Sequence, residues 1–372
     1  MKKKGKRYIA VLIVLITIVF TVVLSGCSRL SSDIENQGNS SNSGTSTFSD
    51  VSDNETKNNE SNGNSFPAID SGSCGAEGEL YVIGIGKIEV SDKDKVKWTL
   101  YGDGRLVIDG DGYMSDYLSS SNKRPWESHA DEIKFLEVKE GILSIGANSF
   151  KECSNLSGIE IADSVTSIRS YAFSDCHDLS DVIIPSSVLV LADSAFKNCQ
   201  NLKNITIKEG LLNIISSCFE NCTRLSSVVI PSSVSLIDAC AFYGCVSLKN
   251  VEIKEGLKSI GEKAFENCTA METLVLPDSV EKINNYAFYN CRSLSSVKIP
   301  AGLKRLYLGV FMGCSGIKEV SIPITLTNIN NYAFYGCSSL SDVYYAGNKT
   351  QWDSILIDGD NDCLLNSNIH FN

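Results

Sequence analysis

Phenylalanine recurs every 23 residues, at Phe150, Phe173, Phe196, Phe219, Phe242, Phe265, Phe288, Phe311 and Phe334, and a cysteine follows three residues after each, from Cys153 to Cys337. Counting each Phe as zero, apolar columns stand at +6 (Leu156, Leu179, Leu202), at +9 and +11 (Val182/Ile184, Ile205/Ile207), and at +15 and +18 (Val188/Leu191, Leu257/Ile260). A fixed period of about 20–50 residues marks a solenoid of stacked coils. The +9/+11 alternation is rich in β-branched residues and is followed by Pro185, Pro231, Pro277, Pro300 and Pro323. It predicts one short strand per coil, parallel to its neighbours and in register, with proline ending the ladder. The Ala-Phe-x-x-Cys segment is expected to be a short helical turn. Before the first Phe, Ile133, Leu136, Val138, Ile142 and Ile145 already fit the columns, with Glu127 and Ala130 in the Phe and Cys positions. One coil cannot offset the entropy of ordering its own chain, so stacking and caps are required.

The pattern assigns residues 131–345 to the solenoid. Residues 73–130 differ. Val96, Trp98 and Leu100 alternate with polar residues, Tyr101-Gly102-Asp103-Gly104 interrupts, and Leu106 and Ile108 alternate again. This predicts a β-hairpin cap over the open first coil. From Tyr344 the repeat dissolves, and residues 346–372 are expected to cap the other end with Trp352 as anchor.

The start of the chain adds a compartment. Lys2, Lys3, Lys4, Lys6 and Arg7 precede an apolar run over 9–23 and then Leu24-Ser25-Gly26-Cys27, so residues 1–26 predict an export signal. Leu-Ser-Gly-Cys resembles the lipobox of bacterial lipoproteins, which implies cleavage before Cys27 and lipid attachment to it. Residues 27–72 are mostly Ser, Asn, Gly, Asp and Glu, and are expected to form a disordered tether. The protein would then stand on the outer face of a bacterial cell membrane. The chain carries 33 Lys+Arg against 44 Asp+Glu, and the export signal holds basic residues only, so the remainder is more acidic still. Nucleic acid, which rewards basic patches, is not an expected partner.

The form Cys-x-x-Leu-x-x-Val/Ile-x-Ile-Pro-x-x-Val/Leu-x-x-Ile-x-x-x-Ala-Phe, seen from Cys176 to Phe196 with Asp193-Ser194 before Ala195-Phe196, resembles the BspA-like leucine-rich-repeat surface proteins. The resemblance covers about residues 73–372, including Ser73-Cys74-Gly75, Pro125-Trp126 and the tail from Tyr344. It implies a leucine-rich-repeat superhelix at the cell surface, with protein ligands among host matrix or plasma proteins or other cells. It carries no invariant functional site onto named residues. Binding to the bacterium's own cell wall, as an envelope protein, is the alternative.

The candidate chemistry is sparse. The outward strand position, +10, holds Glu137, Glu160, Ile183, Thr206, Val229, Glu252, Val275, Lys298, Ser321 and Tyr344. Ile183, Val229 and Val275 are unexpected on a solvated strand, so Ile183, Thr206, Val229, Glu252, Val275 and Lys298 form the candidate ligand face; plain β-propensity is the competing explanation. Tyr171, Tyr243, Tyr286, Tyr289, Tyr332 and Tyr335 near the Phe turns form a second candidate. The cysteine column admits buried structural thiols, disulfides between coils about 5 Å apart, or metal ligation. Cys74 and Cys363 lie in opposite caps, and Cys240 stands in a polar column. Asp358-Gly359-Asp360-Asn361-Asp362 imitates a calcium loop but has Cys363 at the sixth position and Ile369 at the twelfth, and is read as a turn. His129, His177 and His370 lie far apart, and no nucleophile elbow, zinc-protease motif or phosphate loop is present. No enzyme activity, metal or cofactor is expected.

Overall fold

The computed structural model describes residues 39–40, 66–82 and 86–372. The export signal, Cys27 and most of the tether lie outside them. The expected ladder of strands is present: Phe135–Val138, Gly158–Ile161, Asp181–Ile184, Asn204–Ile207, Ser227–Ile230, Asn250–Ile253 and Thr273–Val275 are parallel neighbours in one sheet. Residues 23 apart face each other, for example Val182 and Ile205. Each coil also carries a second strand, which the sequence pattern did not separate from the first. Ile142–Ile145, Ser167–Ile168, Val190–Leu191, Asn213–Ile214 and their successors form a second parallel ladder.

The hairpin of the N-terminal cap is Val96–Tyr101 with Arg105–Gly110, and its second strand pairs in parallel with Phe135–Val138. Ala68–Ser73 adds an antiparallel strand outside Val96–Tyr101. This strand begins inside the span expected to be tether. The C-terminal cap continues the ladder through Asp342–Tyr345 to Asn368–Phe371. Trp352 is buried there, edge-on to Tyr345 at 5.4 Å.

The core is a column of rings. Successive phenylalanines stack with centroids 5.1 to 5.7 Å apart, from Phe242–Phe265 to Phe311–Phe334. Trp126 begins the column, 5.3 Å from Phe150 and nearly parallel to it. The 23-residue count puts Glu127 in that position; the ring comes from the residue before, held by its indole N–H on the Ser149 carbonyl at 2.9 Å. The cysteines are free and buried in the repeat column. Each thiol from Cys176 to Cys314 donates to the Phe carbonyl of the preceding coil, at 3.1 Å for Cys176 on Phe150 and 3.3 Å for Cys314 on Phe288. Cys153 has no such partner below it. Buried Arg124 fills the gap, bonding the Lys151 carbonyl and lying 3.8 Å from Cys153 Sγ.

The Ala-Phe-x-x-Cys segments are tight turns rather than helical ones. Two residues per coil have left-handed backbone, two before the Phe (Tyr171, φ 57°) and two after it (Asp175, φ 62°; Asn198, φ 59°). The second position holds Asp, Asn or Gly in every coil after the first, as that conformation favours. The turn thereby aims three N–H groups at the next coil: Asn148 to Ser170, Phe150 to Ala172 and Glu152 to Ser174, at 2.8 to 3.0 Å. A third set of bonds between coils results.

Proline shortens the main ladder wherever it enters. Where the residue after the strand has an N–H, that group donates to the coil below, as Lys254 does to Ile230 at 3.1 Å. Such junctions pair four residues, Ser227–Ile230 with Asn250–Ile253 among them. Proline cannot donate. At Pro185 and Pro231 the pairing falls to single contacts, Gly158 with Asp181 and Asn204 with Ser227. Between Thr273–Val275 and Ser296–Lys298, where Pro277 and Pro300 follow both strands, the sheet ends and a new one begins.

Glu266 is buried in the turn side, 3.7 Å from Lys263, and burial raises its pKa despite that neighbour. The unfolded chain therefore ionises at lower pH than the folded one, and stability falls as pH rises through the raised value. Glu266→Gln is expected to raise the thermal midpoint at pH 7–8, with the difference vanishing in acid; an unchanged midpoint at pH 7 would refute this. Phe242→Ala, in mid-column, is expected to cost about 3–5 kcal/mol in denaturant unfolding. Native-state hydrogen exchange is expected to be faster at 296–298 than at 250–253, because an interrupted junction opens more readily.

Candidate binding face

Alternation along each strand sets the outer face. In Asp181–Ile184, Val182 and Ile184 are buried while Asp181 and Ile183 are exposed, and the same pattern repeats in Asn204–Ile207, Ser227–Ile230 and Asn250–Ile253. Register then lines the +10 residues in single file: Glu137 faces Glu160, Ile183 faces Thr206, and Val229, Glu252 and Val275 follow one another. Ile183 is 58% exposed, Val229 43% and Val275 68%, so three branched apolar side chains meet solvent on alternate coils. Thr206 and Glu252 stand exposed between them. The flanking +8 positions, Asp181, Asn204, Ser227 and Asn250, are exposed and polar.

The two ends of this file differ in charge. Towards the N-terminal cap, Glu137 is met by Arg105 at 3.3 Å and by Lys139. Glu160 makes no ion pair among the described residues. A hollow of ≈ 720 Å³ lies here, lined by Phe135, Glu160, Asp181, Ile183 and Pro185. It coincides with the junction that Pro185 shortens. Gly158 allows the Phe135 ring to lie over it, since a Cβ at that position would come 3.0 Å from Phe135 Cδ2. Towards the C-terminal cap, Lys298 lies 3.6 Å from Asp278 and Ser321 leads to Tyr344. Tyr344 stacks on His370 at 4.8 Å, and His370 Nε2 lies 2.7 Å from Asp342, whose pKa this contact lowers.

His370 thus extends the file by one more position. The sequence count missed it because the cap inserts residues between Tyr344 and the last strand. The Asn-Ile-His-Phe alternation was the available signal. Of the six predicted face residues, Ile183, Thr206, Val229, Glu252 and Val275 lie in one sheet, which narrows to the single pair Asn204–Ser227 between Thr206 and Val229, and Lys298 lies beyond the break.

The tyrosine set is not one surface. Tyr286 is buried against Gly309, where a Cβ would lie 2.5 Å from its ring, and it meets Tyr289 edge-on at 6.0 Å. Tyr332 and Tyr335 form a similar pair at 5.6 Å, and Tyr171 is exposed. The histidines are scattered. His129 bridges Glu132 at 2.9 Å and Asp70 at 3.2 Å, and the bond to Glu132 raises its pKa. His177 faces Ser154. Cys240 is half-buried, and burial raises its pKa to about 11, the reverse of an activated thiol. No group of three or more His, Cys, Asp or Glu able to hold a metal occurs among the described residues. Within Asp358–Asp362, Asn361 is buried and accepts from the Phe334 N–H at 3.0 Å, so this turn closes the Phe column.

The chain is similar to several solved bacterial proteins. A leucine-rich repeat protein from Eubacterium ventriosum shares 22% identity, over 72% of this chain and 92% of that one, with a TM-score of 0.39. The leucine-rich repeat protein of T. pallidum shares 23%, over 72% and 94%, with a TM-score of 0.38. The pneumococcal vaccine antigen PcpA shares 16%, over 75% and 97%, with a TM-score of 0.39. No curated protein matches. The family described as BspA type Leucine rich repeat region matches residues 128–249 and 235–360, more than half of the chain. With the period, the ladders and the Phe–Cys turns in place, the chain belongs to the BspA-type leucine-rich-repeat family.

Proposed function

We propose that this is a surface protein whose solenoid binds other proteins through its +10 file, anchored by lipid on Cys27 and acting in adhesion to host matrix or plasma proteins or to other cells. Membership of a repeat family built as a scaffold supports protein binding over catalysis. The single observation that carries the choice of face is the exposure of Ile183, Val229 and Val275 in one register. Branched apolar side chains in line beside a row of exposed polar residues supply contact area at little cost in side-chain entropy. Lipid attachment rests on the Leu-Ser-Gly-Cys motif and its place after the apolar run.

The test is saturable binding of the full chain to immobilised fibronectin, fibrinogen, collagen and homologous cell wall. A host protein is expected to bind, and Ile183→Ser with Val229→Ser and Val275→Ser to weaken that binding at least tenfold, about 1.4 kcal/mol, with the melting temperature unchanged. Unaltered affinity would remove this face from consideration. Retention on cell wall alone would replace adhesion with an envelope role.

A further inference from the structure

We propose, resting on the protein-binding reading above, that the file from Glu160 to Val275 is a track for an extended polyproline-type segment of the partner. That segment would carry an apolar side chain at every third residue and a basic side chain at the Glu160 end.

The spacing selects the conformation. Neighbouring strands lie about 4.8 Å apart, so apolar residues on alternate coils repeat at about 9.6 Å. A polyproline II helix has three residues per turn and rises about 3.1 Å per residue, which returns a side chain to the same face every ~9.3 Å. A β-strand returns one every ~6.6–6.8 Å and falls out of step within the file. An α-helix could approach the spacing only with contacts seven residues apart, about 10.5 Å. It would also require an apolar stripe roughly 100° wide. The file is one side chain wide, with Asp181, Asn204, Ser227 and Asn250 along one edge and Pro185, Lys208, Pro231 and Lys254 along the other.

The intervening residues fit the same occupant. A polyproline segment makes no internal hydrogen bonds, so its carbonyls and any N–H remain unsatisfied by itself. Thr206 stands between Ile183 and Val229 and can donate its hydroxyl to a carbonyl. Glu252 stands between Val229 and Val275 and can accept an N–H. Charge sets the direction. Glu137 is already neutralised by Arg105 and Lys139, whereas exposed Glu160, beside the hollow next to Ile183, has no ion pair among the described residues. Beyond Val275 the sheet is interrupted and Lys298 is occupied by Asp278.

The experiment is a fluorescence-anisotropy titration of the full chain with labelled peptides. The probe is Arg-Pro-Leu-Pro-Pro-Leu-Pro-Pro-Leu-Pro. One control has the same composition with its leucines adjacent; a second is a helical peptide with leucine at every seventh position. The probe is expected to bind at least tenfold more tightly than either control. Ile183→Ser/Val229→Ser/Val275→Ser should lower its affinity at least tenfold. Glu160→Lys should make the chain prefer a probe with Glu in place of Arg. Equal binding of the probe and a control, no binding of the probe, or affinity indifferent to the serine substitutions would overturn the proposal. If those substitutions still abolish binding to an immobilised host protein, the face stands and only the polyproline occupant falls. If neither binding responds to them, both readings fall.

Discussion

One geometric constraint governs this chain: every coil must climb by one hydrogen-bonding step and return to the same place. The strand ladders set that step at about 4.8 Å. The phenyl rings, whose centroids are 5.1 to 5.7 Å apart, meet it by stacking slightly offset, which is also their preferred arrangement. The thiol of Cys176 reaching the Phe150 carbonyl at 3.1 Å, and the Phe150 N–H reaching Ala172 at 2.8 Å, are possible only at that rise. An inserted residue would displace all of these at once. The 23-residue period is therefore held without a gap through nine turns of the Phe column.

The same constraint makes the ends difficult, because a coil at the end has donors and acceptors with no neighbour. Each end is closed with substitutes for what is missing. Trp126 supplies the ring below Phe150, and Arg124 supplies a donor to the Lys151 carbonyl next to Cys153. At the other end Asn361 accepts the Phe334 N–H that the next coil would have taken. The main ladder is continued at both ends by strands that do not obey the repeat, Arg105–Gly110 and Asn368–Phe371. Capping here means satisfying particular groups as well as covering apolar surface.

What could be read from the sequence follows from this division. Columns that bury a side chain, such as Phe150 to Phe334 and the +9/+11 pairs, announce themselves by composition, and so did the strand, the stacking and the outward +10 file. The second ladder was not visible because two residues such as Ser167–Ile168 are too short to show an alternation. The turn was misread as helical because its conformation depends on backbone sign. The Asp, Asn and Gly residues two after the Phe, Asp175 to Gly336, were the signal. Trp126 and His370 escaped because both lie in caps, where the count of 23 no longer holds. The first cap strand, Ala68–Ser73, is polar and largely exposed, so nothing in its composition separated it from the tether.

Proline has a role that composition alone does not reveal. Its position just after the strand places it where each coil would otherwise donate a bond to the one below. The junctions at Pro185, Pro231 and Pro300 are thus weakened without disturbing the Phe column, which continues through all three, from Phe150 to Phe173, Phe196 to Phe219 and Phe265 to Phe288. One weakened junction coincides with the hollow beside Glu160, and another divides Val275 from Lys298. The outer face is consequently a set of segments on a continuous core. The core fixes where each exposed side chain stands, and the ladder is weakest at three of the five proline junctions, while those at Pro277 and Pro323 still pair three residues. Substitutions in the +10 file alter the chemistry of a strip, whereas a proline after the strand removes one bond between neighbouring coils. These are separable ways for one repeat to present different surfaces while its stacking geometry is preserved.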